Sequence, residues 1–450
     1  MTALWSKTAL LPAGWAEDVR IVMTGGRITD VVAGTPAQPG DDRHAIAVPG
    51  LPNVHSHAFQ RGMAGLAEHR GDSDENFWSW RDVMYRFLDH LQPDDVGTIC
   101  EMAYVEMLES GYTRVGEFHY LHNDITGARY ADPAEMAGRV VAAAHATGIG
   151  LTLLPVFYAH GDFGGQPLTH GQRRFVSDLD NFATLLDACG RLIADDDIVG
   201  MAPHSLRAVT GEELASLIAL RPHGPIHIHA AEQMKEVEAS IAFSGARPVE
   251  WLLENAGVDA RWCLIHATHL TQAETVALAA SDAVAGLCPI TESNLGDGIF
   301  PGVRFLAAGG RIATGTDSNV LIDAAQELRT LEYSQRLSHH ARNVLASGEQ
   351  RSVARRLFGA TLEGGGQALG ATNGIAVGLP ADIVTLNSGH PALYGKRGDQ
   401  LLDSWVFAAR TSCIDTVSRD GRRLVSGGHH KDAESVSMRY AQVLDRVLSA

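Results

Sequence analysis

The sequence predicts an α/β protein, a (β/α)₈ TIM-like barrel with a small β-sandwich domain built from both ends of the chain. Between residues 47 and 372, short apolar segments alternate with helix-like segments, as parallel strands alternate with helical crossovers. Strand-like segments and turns occupy residues 1–46 and return over residues 373–450. We therefore predict a barrel at 47–372 and assign the two flanking ranges to the sandwich domain.

The elements follow in chain order. A hairpin, VRIVMTGGRITDVVAG, is predicted to turn at Gly25-Gly26. The predicted barrel strands are HAIAVPGL, YTRVGEF, GIGLTLLPVFY, DIVGMAPHS, PIHIHAAE, RWCLIHATH, DAVAGLCPI and RIATGTDSN. Helices are predicted at PDDVGTICEMAYVEMLESG and DPAEMAGRVVAAAHATG, each of which ends in glycine. Strands return at GIAVGLPADIVTLN and CIDTVSRDGRRLVSGG. A doubly wound open sheet is the alternative, but no G-x-G-x-x-G follows the first strand.

Composition limits the class of partner. The chain has 450 residues, with 36 basic and 53 acidic side chains and a net charge of −17, which argues against a nucleic-acid or anionic-membrane partner. A small anionic substrate is still compatible with this net charge, because local arginines could hold it. The five cysteines form no C-x-x-C pair, so we predict buried free thiols in a reducing compartment. No apolar run approaches a membrane span and the start is a poor signal peptide, so we expect a cytoplasmic protein.

Polar side chains cluster where the predicted strands end, which is where such barrels carry their chemistry. The segment PNVHSH carries His55 and His57, which project to one side because residues two apart on an extended chain share a face. Four later strand ends carry further candidates: His204 with Arg207; His227 and His229 with Glu232; His266 with His269; and Asp317.

Three histidines and an aspartate form a donor set that suits a catalytic zinc or a similar divalent ion, with a position left for water. Such an ion lowers the pKa of its water to around 7. Asp317 is acidic enough to accept the proton, and Glu232 can then carry protons to a leaving group. Singly, a strand-end histidine is more often a hydrogen-bonded core residue and Asp317 a helix N-cap. Only their joint placement favours a metal site.

The chain resembles the amidohydrolase superfamily over nearly its whole length. The matching segments are PGLPNVHSH, HIHAAE, LIHATH, CPITESNLGDG, ATGTDSN and GLPADIVTL. The fourth strand ends without a lysine that could be carboxylated to bridge two metals, so the chain is similar to the mononuclear, deaminase-type branch. This resemblance implies one divalent metal ion, expected to be zinc, with the ligands His55, His57, His229 and Asp317.

Within that branch, the chain resembles the formimidoylglutamate deiminases of histidine degradation through HSHAFQRGMAGLAE, FWSWRDVMYRF, VGEFHYLHND and MAPHSLRAV. That family hydrolyses N-formimidoyl-L-glutamate to N-formyl-L-glutamate and ammonia. The resemblance implies Glu232 and His266 as the proton-handling pair, acting beside Asp317. It implies substrate contacts from Gln60, Tyr120, His204 and Arg207. It also implies a homodimer in which Arg81 reaches the neighbouring subunit's site.

Some assignments stay open. Glu292 stands where nucleobase deaminases of the superfamily usually carry asparagine, which favours the formimidoyl substrate. The alternatives are an aminohydrolase for a purine or pterin, and a metal-binding scaffold without catalysis. We expect His227 to be packed in the core and Trp78 and Trp80 to pack a loop or a subunit interface. Structural roles are also open for Gln60, Tyr120, His119, His122 and His269.

Overall fold

The fold is seen in a computed structural model that describes residues 2–70, 77–409 and 413–449. Its strands are β1 (Thr2–Leu11), β2 (Gly14–Thr24), β3 (Arg27–Val32), β4 (Asp42–Pro49), β5 (Leu51–Ser56), β6 (Tyr112–His119), β7 (Gly150–Phe157), β8 (Ile198–Val199), β9 (Ala202–Pro203), β10 (Ile226–Ala230), β11 (Trp262–His266), β12 (Val284–Leu287), β13 (Arg311–Thr314), β14 (Ile383–Leu386), β15 (Ile414–Arg419), β16 (Arg422–Ser426) and β17 (His429–His430).

The α-helices are α1 (Phe77–Leu88), α2 (Pro93–Glu109), α3 (Glu135–Thr147), α4 (Leu179–Leu192), α5 (Gly211–Leu220), α6 (Met234–Ser244), α7 (Pro248–Asn255), α8 (Gln272–Ala280), α9 (Pro289–Leu295), α10 (Gly302–Ala307), α11 (Ala324–His339), α12 (Val353–Leu369), α13 (Asp399–Ala408) and α14 (Ala433–Leu448). Short 3₁₀ helices lie at Ala58–Met63, His170–Gln172 and Pro391–Leu393. Among the described residues, no helix is both long and apolar enough to cross a membrane.

Strands β5 to β13 form the predicted barrel. Parallel pairing joins β5 to β8 in one sheet, with β9 on β7, and β10 to β13 in another. Single bridges close the circle: Ser205 with His229 joins the two sheets on one side, and Ser56 with Asp317 joins them on the other. Because β8 and β9 are two halves of one barrel strand, the circle has eight strands, and the predicted (β/α)₈ barrel is confirmed.

The barrel strands β6, β7, β10 and β11 are buried along their whole length, as expected for parallel strands covered on both faces. The predicted helix at residues 93–111 is confirmed as α2. It begins with Pro93 at its first turn, followed by Asp94 and Asp95, and it buries Val96 and Ile99. The alternation of strand-like and helix-like segments in the sequence therefore corresponds to parallel strands joined by helices in the structure.

Both ends of the chain build one eight-stranded sheet, in the order β17-β16-β15-β14-β4-β1-β2-β3. Its apolar core includes Leu4, Ile21, Ile28 and Ile383. The predicted hairpin is β2–β3, and both residues of its Gly25-Gly26 turn have positive φ, +58° and +80°, which glycine adopts without a steric cost. The prediction of a small β domain built from both termini is thus confirmed.

The prediction of the first barrel strand was wrong. HAIAVPGL was assigned as the first barrel strand, but β4 pairs with β1 and β14 in the terminal sheet. The barrel begins with β5, which pairs with β6. Gly50 separates the two strands where the backbone passes so close to Thr113 that an added Cβ would lie 2.2 Å from its Cγ2.

The tail is also less uniformly β than its pattern predicted. Helix α14 packs against α2 of the barrel, where Arg446 pairs with Asp95 and the Tyr440 hydroxyl donates a hydrogen bond 3.0 Å long to the Arg61 carbonyl. The domain limits at 46/47 and 372/373 stay predictions. All five cysteines are buried and free, as expected.

Candidate active site

The four predicted metal ligands converge at the carboxyl end of the barrel. His55 lies near the end of β5 and His57 directly follows that strand, His229 comes from β10, and Asp317 follows β13. The Nε2 atoms of His55 and His57 each lie 3.3 Å from Asp317 Oδ1, and His229 Nε2 lies 3.1 Å from His55 Nε2. One donor atom from each of the four residues falls within 4.8 Å of the others.

Hydrogen bonds behind the site fix which nitrogen of two histidines faces inward. His57 Nδ1 lies 3.0 Å from the Phe118 carbonyl, and His229 Nδ1 lies 3.0 Å from the His204 carbonyl. A carbonyl only accepts, so each Nδ1 carries the proton and each Nε2 presents a lone pair. Burial lowers the pKa of His57 and His229, which favours these neutral forms.

This donor set fits a divalent cation. Without one, lone pairs of buried nitrogens would face one another and a carboxylate oxygen, an arrangement that costs free energy. A cation at their centre satisfies all of them, and imidazole with carboxylate is a usual ligand combination for such ions. His266, Cys288 and Asp317 form a second close group, but burial raises the pKa of the Cys288 thiol well above its usual value and so disfavours the thiolate that a metal needs.

Asp317 is held by a buried hydrogen-bond network between the first and last barrel strands. Its backbone is left-handed, with φ of +45°, which is uncommon for a residue other than glycine. Its carbonyl accepts from the His57 amide at 2.9 Å and from Asn319 Nδ2 at 3.0 Å. Asn319 Nδ2 also donates to Ser56 Oγ at 3.1 Å, and Asn319 Oδ1 accepts from Thr316 Oγ1 at 2.6 Å. Asn319 therefore joins the segment of Asp317 to the strand of His55 and His57.

Replacing Asn319 with glycine is expected to weaken metal binding about 10- to 100-fold, the usual cost of losing an outer-shell partner. Glycine tolerates the left-handed backbone of residue 319, where φ is +54°, so the change isolates the side-chain bonds. Competition with a chelator measures the metal dissociation constant. The control is Thr385→Val, which removes a buried hydroxyl bond of 2.7 Å to Thr416 in the terminal sheet. Equal metal affinity in both variants would leave Asn319 a purely structural role.

Glu232 stands in a turn directly after β10. The Glu236 carboxylate accepts the backbone amides of Ala231 and Glu232, each at 3.1 Å, which fixes this turn. Glu232 is only 5% exposed, and burial raises its pKa to about 7 although His266 and Arg207 oppose the shift. A carboxyl group with that pKa can both take and give a proton at neutral pH.

His266 ends β11 with a left-handed φ of +68°. Its Nδ1 lies 3.3 Å from Glu292 Oε1, and its Nε2 lies 3.7 Å from Glu232 Oε1 and 3.8 Å from Asp317 Oδ2. Burial lowers the pKa of His266, but the surrounding carboxylates outweigh this and raise it to about 10. Glu292, whose role the sequence left open, therefore lies in hydrogen-bond contact with the ring.

One cavity at the barrel mouth collects most of the predicted residues. The predicted residues that line it are His57, Gln60, Arg81, Tyr120, His204, Arg207, His229, Glu232, His266 and Asp317. The remaining one, His55, is fully buried beside them. Gln60 Nε2 donates to the Tyr120 hydroxyl at 2.7 Å, and Tyr120 is 4% exposed, so it is not a solvated rim residue. The roles of these residues stay predictions.

Arg81 lines the cavity of its own chain, with its guanidinium carbon 4.4 Å from the centre of the Trp78 ring. Its predicted reach into a neighbouring subunit's site stays a prediction. Trp80 likewise lines this cavity rather than only packing a loop.

Sequence reasoning missed the wall of the cavity. Its further lining residues are Phe77, Trp80, Met84, Tyr85, Tyr158, Phe175 and Leu295. Phe77, Arg81, Met84 and Tyr85 recur at helical spacing on α1, a signal that was present in FWSWRDVMYRF. The outer partners Glu236 and Asn319 were missed as well, although Glu236 lies one helical turn after Glu232.

Three further histidines, whose roles were discussed above, contact groups outside the cavity. His227 is fully buried and its Nε2 donates to the Ala368 carbonyl at 2.7 Å, so the expected packing role is confirmed. His122 Nε2 donates to the Val156 carbonyl at 2.8 Å, and the His119 ring contacts that of His122. None of these three lines the cavity.

Comparisons with known proteins identify the family of the chain. Residues 46–424 match the amidohydrolase family, and residues 1–45 match the N-terminal domain of formimidoylglutamate deiminase HutF. A formimidoylglutamate deiminase of Pseudomonas aeruginosa is 47% identical, with full coverage of both chains. The crystal structure of an amidohydrolase from Brucella melitensis is 50% identical and superposes over the whole of both chains with a TM-score of 0.97.

A more distant structure shares the fold alone. An adenosine deaminase from Xanthomonas campestris, solved with bound zinc, is 22% identical, with a TM-score of 0.83 over 100% of this chain and 99% of the other. The family match spans most of the present chain, and the Pseudomonas relative aligns from end to end. The chain belongs to the amidohydrolase family.

Proposed function

We propose that this chain is a metal-dependent deiminase that hydrolyses N-formimidoyl-L-glutamate to N-formyl-L-glutamate and ammonia in histidine degradation. The full-length identity of 47% to a formimidoylglutamate deiminase supports this assignment. The observation that carries it is the content of one cavity, where Glu232 and His266 stand beside the metal-ligand group and two arginines, Arg81 and Arg207, face the same space.

We propose one zinc ion on His55, His57, His229 and Asp317. The three nitrogens and one oxygen suit zinc, and the related adenosine deaminase was solved with zinc. Such an ion would supply Lewis acidity toward water and toward the oxygen on which charge develops. Metal analysis of the purified protein identifies the ion.

The side chains of this site can handle the protons that the reaction moves. A C–O bond forms at the formimidoyl carbon, the bond from that carbon to the terminal nitrogen breaks, and protons pass from water to the departing nitrogen. Asp317 accepts the first proton. Glu232, whose pKa is about 7, gives a proton to the nitrogen that leaves as ammonia, while His266 stabilises the attacking oxygen.

The rest of the cavity suits the glutamyl part of the substrate. Each of its two carboxylates needs a cationic partner, and guanidinium groups bind carboxylates through two parallel hydrogen bonds. Arg81 and Arg207 each keep a buried Nε without a hydrogen-bond partner. Among the described residues, neither arginine has a carboxylate within ion-pair distance. The unpaired donors are what two substrate carboxylates would satisfy.

An ammonia-release screen tests the function. The purified enzyme should release ammonia from N-formimidoyl-L-glutamate and not from purines or pterins at the same concentration. Release from a purine or pterin alone would instead support the aminohydrolase alternative, and no release from any substrate by the metal-loaded protein would support a non-catalytic scaffold.

Replacing Arg207 with methionine should lower kcat/KM for N-formimidoyl-L-glutamate by about 1.5 to nearly 4 decades. Removing one partner of a buried charge pair costs roughly 2–5 kcal/mol, and each decade corresponds to about 1.4 kcal/mol. A formamidine without carboxylates should be hydrolysed almost as before, because it makes no carboxylate contact with Arg207. Equal losses with both substrates would show that Arg207 supports the fold of the site instead.

Two further features are proposed at the level of the cell and the assembly. We propose a cytoplasmic enzyme, in keeping with five free cysteines, and a homodimer. Light scattering at several protein concentrations measures the mass in solution. A monomeric mass at every concentration would contradict the proposed homodimer.

A further inference from the structure

Three cationic side chains surround one indole ring at the edge of the cavity. Lys235 Nζ lies 4.4 Å from the centre of the Trp78 ring, and the guanidinium carbons of Arg81 and Arg207 lie 4.4 Å and 5.6 Å from it. Arg81 comes from α1, Arg207 from the segment after β9, and Lys235 from the first turn of α6. Three separate segments therefore bring positive charge to one place.

Among the described residues, no carboxylate lies within ion-pair distance of this cluster, although Glu236 and Glu232 are near enough to raise the pKa of Arg207. In the described part of the chain, Lys235 forms no ion pair, and the same holds for the two arginines. The chain as a whole carries a net charge of −17, so a group of three positive side chains around one ring differs from the charge of the molecule as a whole. Their mutual repulsion is relieved when anions bind among them.

The three cations differ in depth. Arg81 and Arg207 line the cavity, each with a buried Nε, whereas Lys235 is exposed and does not line it. Lys235 is therefore the cation of the three that a dicarboxylate substrate can contact from solvent. Lys235 also directly precedes Glu236, whose carboxylate fixes the turn of Glu232 through backbone amides.

We propose that Lys235 is a specificity residue at the entrance, which attracts the dicarboxylate substrate and favours it over ligands with one carboxylate. This inference rests on the proposed function for the identity of the substrate. The competing explanation is that Lys235 only holds Trp78, and thereby α1, over the barrel mouth. The two explanations differ because charge attraction depends on ligand charge and on salt, whereas packing depends on neither.

The test compares Lys235→Met with Lys235→Arg and with Lys396→Met, an exposed lysine in the segment before α13. Calorimetry on the isolated metal-loaded proteins measures binding of N-formyl-L-glutamate, which has two carboxylates, and N-formyl-4-aminobutyrate, which has one. Lys235→Met should weaken binding of the dianion about 3- to 10-fold at low ionic strength and binding of the monoanion less than about 2-fold, because contacts of an exposed charge are modest and screened by salt. The difference should shrink in about 0.5 M KCl, a salt concentration at which the screening length falls to a few ångströms.

Lys235→Arg should bind the dianion as the parent does, and Lys396→Met should change neither affinity. Equal weakening of both ligands, a loss that salt does not alter, or no change in Lys235→Met would each overturn the inference. Ammonia release is measured separately. If the parent binds N-formyl-L-glutamate in a Lys235-dependent way but releases no ammonia from the formimidoyl compound, the proposed function fails and the entrance role stands. If the parent does not bind the dianion, the entrance role fails.

Discussion

His57→Ala protein should be isolated without its metal and without measurable turnover. His57 is 4% exposed, its Nδ1 is held by the Phe118 carbonyl, and its Nε2 points at Asp317 Oδ1 from 3.3 Å. Alanine removes one of the four proposed donors. The loss of metal affinity should exceed the roughly 10- to 100-fold cost of losing an outer-shell partner, because the bond to the ion itself is lost.

Metal analysis and ammonia release measure this outcome together. The matched control is His227→Ala, which removes another buried histidine, from β10, whose partner is a backbone carbonyl. The control should lose stability yet keep about one metal per chain. Adding the ion back should restore turnover to chelator-stripped parent enzyme and not to His57→Ala. Full turnover by the stripped parent would refute a catalytic metal.

The convergence of the four proposed ligands was predictable because strand-end position is a local property of the sequence. His55 and His57 alternate along an extended chain, and His229 and Asp317 each follow a short apolar run, so the barrel pattern alone brings these residues to one face. The assignment of His229 rather than His227 needed the family resemblance, since both lie on β10 and only the structure shows that His227 contacts Ala368.

The first strand could not be placed in the same way. Residues 45–52 are a continuous apolar run, and β4 ends and β5 begins within it. Hydrophobicity cannot locate the break because the end of β4 and the whole of β5 are buried, one in the terminal sheet and one in the barrel. What separates them is long-range pairing, β4 with β1 and β14, and β5 with β6. That information lies in distant segments.

Helix α14, by contrast, could have been predicted from the sequence. Val436, Tyr440, Val443 and Val447 recur at intervals of three and four residues and form its less exposed stripe. This period indicates an amphipathic helix that needs a partner, and α2 is that partner. For Arg81, by contrast, the sequence does not show whether the side chain lines the cavity of its own chain or that of a neighbouring subunit, because this depends on how α1 packs on the barrel.

Glu232→Gln enzyme should keep about one metal per chain and lose about 10²- to 10⁴-fold in turnover, the range that a general acid or base contributes. Glutamine has nearly the same shape, and the turn that carries it is held by Glu236 through the backbone, so the site should keep its geometry. What changes is that an amide cannot carry a proton to the departing nitrogen. Binding of N-formyl-L-glutamate should therefore change far less than turnover.

The sharpest control is Glu236→Gln, because it alters a buried carboxylate only four residues away that contacts backbone amides rather than the cavity. It should lower turnover much less than Glu232→Gln, through a looser turn, with metal content again near one. Loss of metal in Glu232→Gln would make Glu232 a ligand. Equal losses in the two variants would mean that Glu232 acts through the shape of the turn, and unchanged turnover in Glu232→Gln would transfer the proton-carrying role to His266 or Asp317.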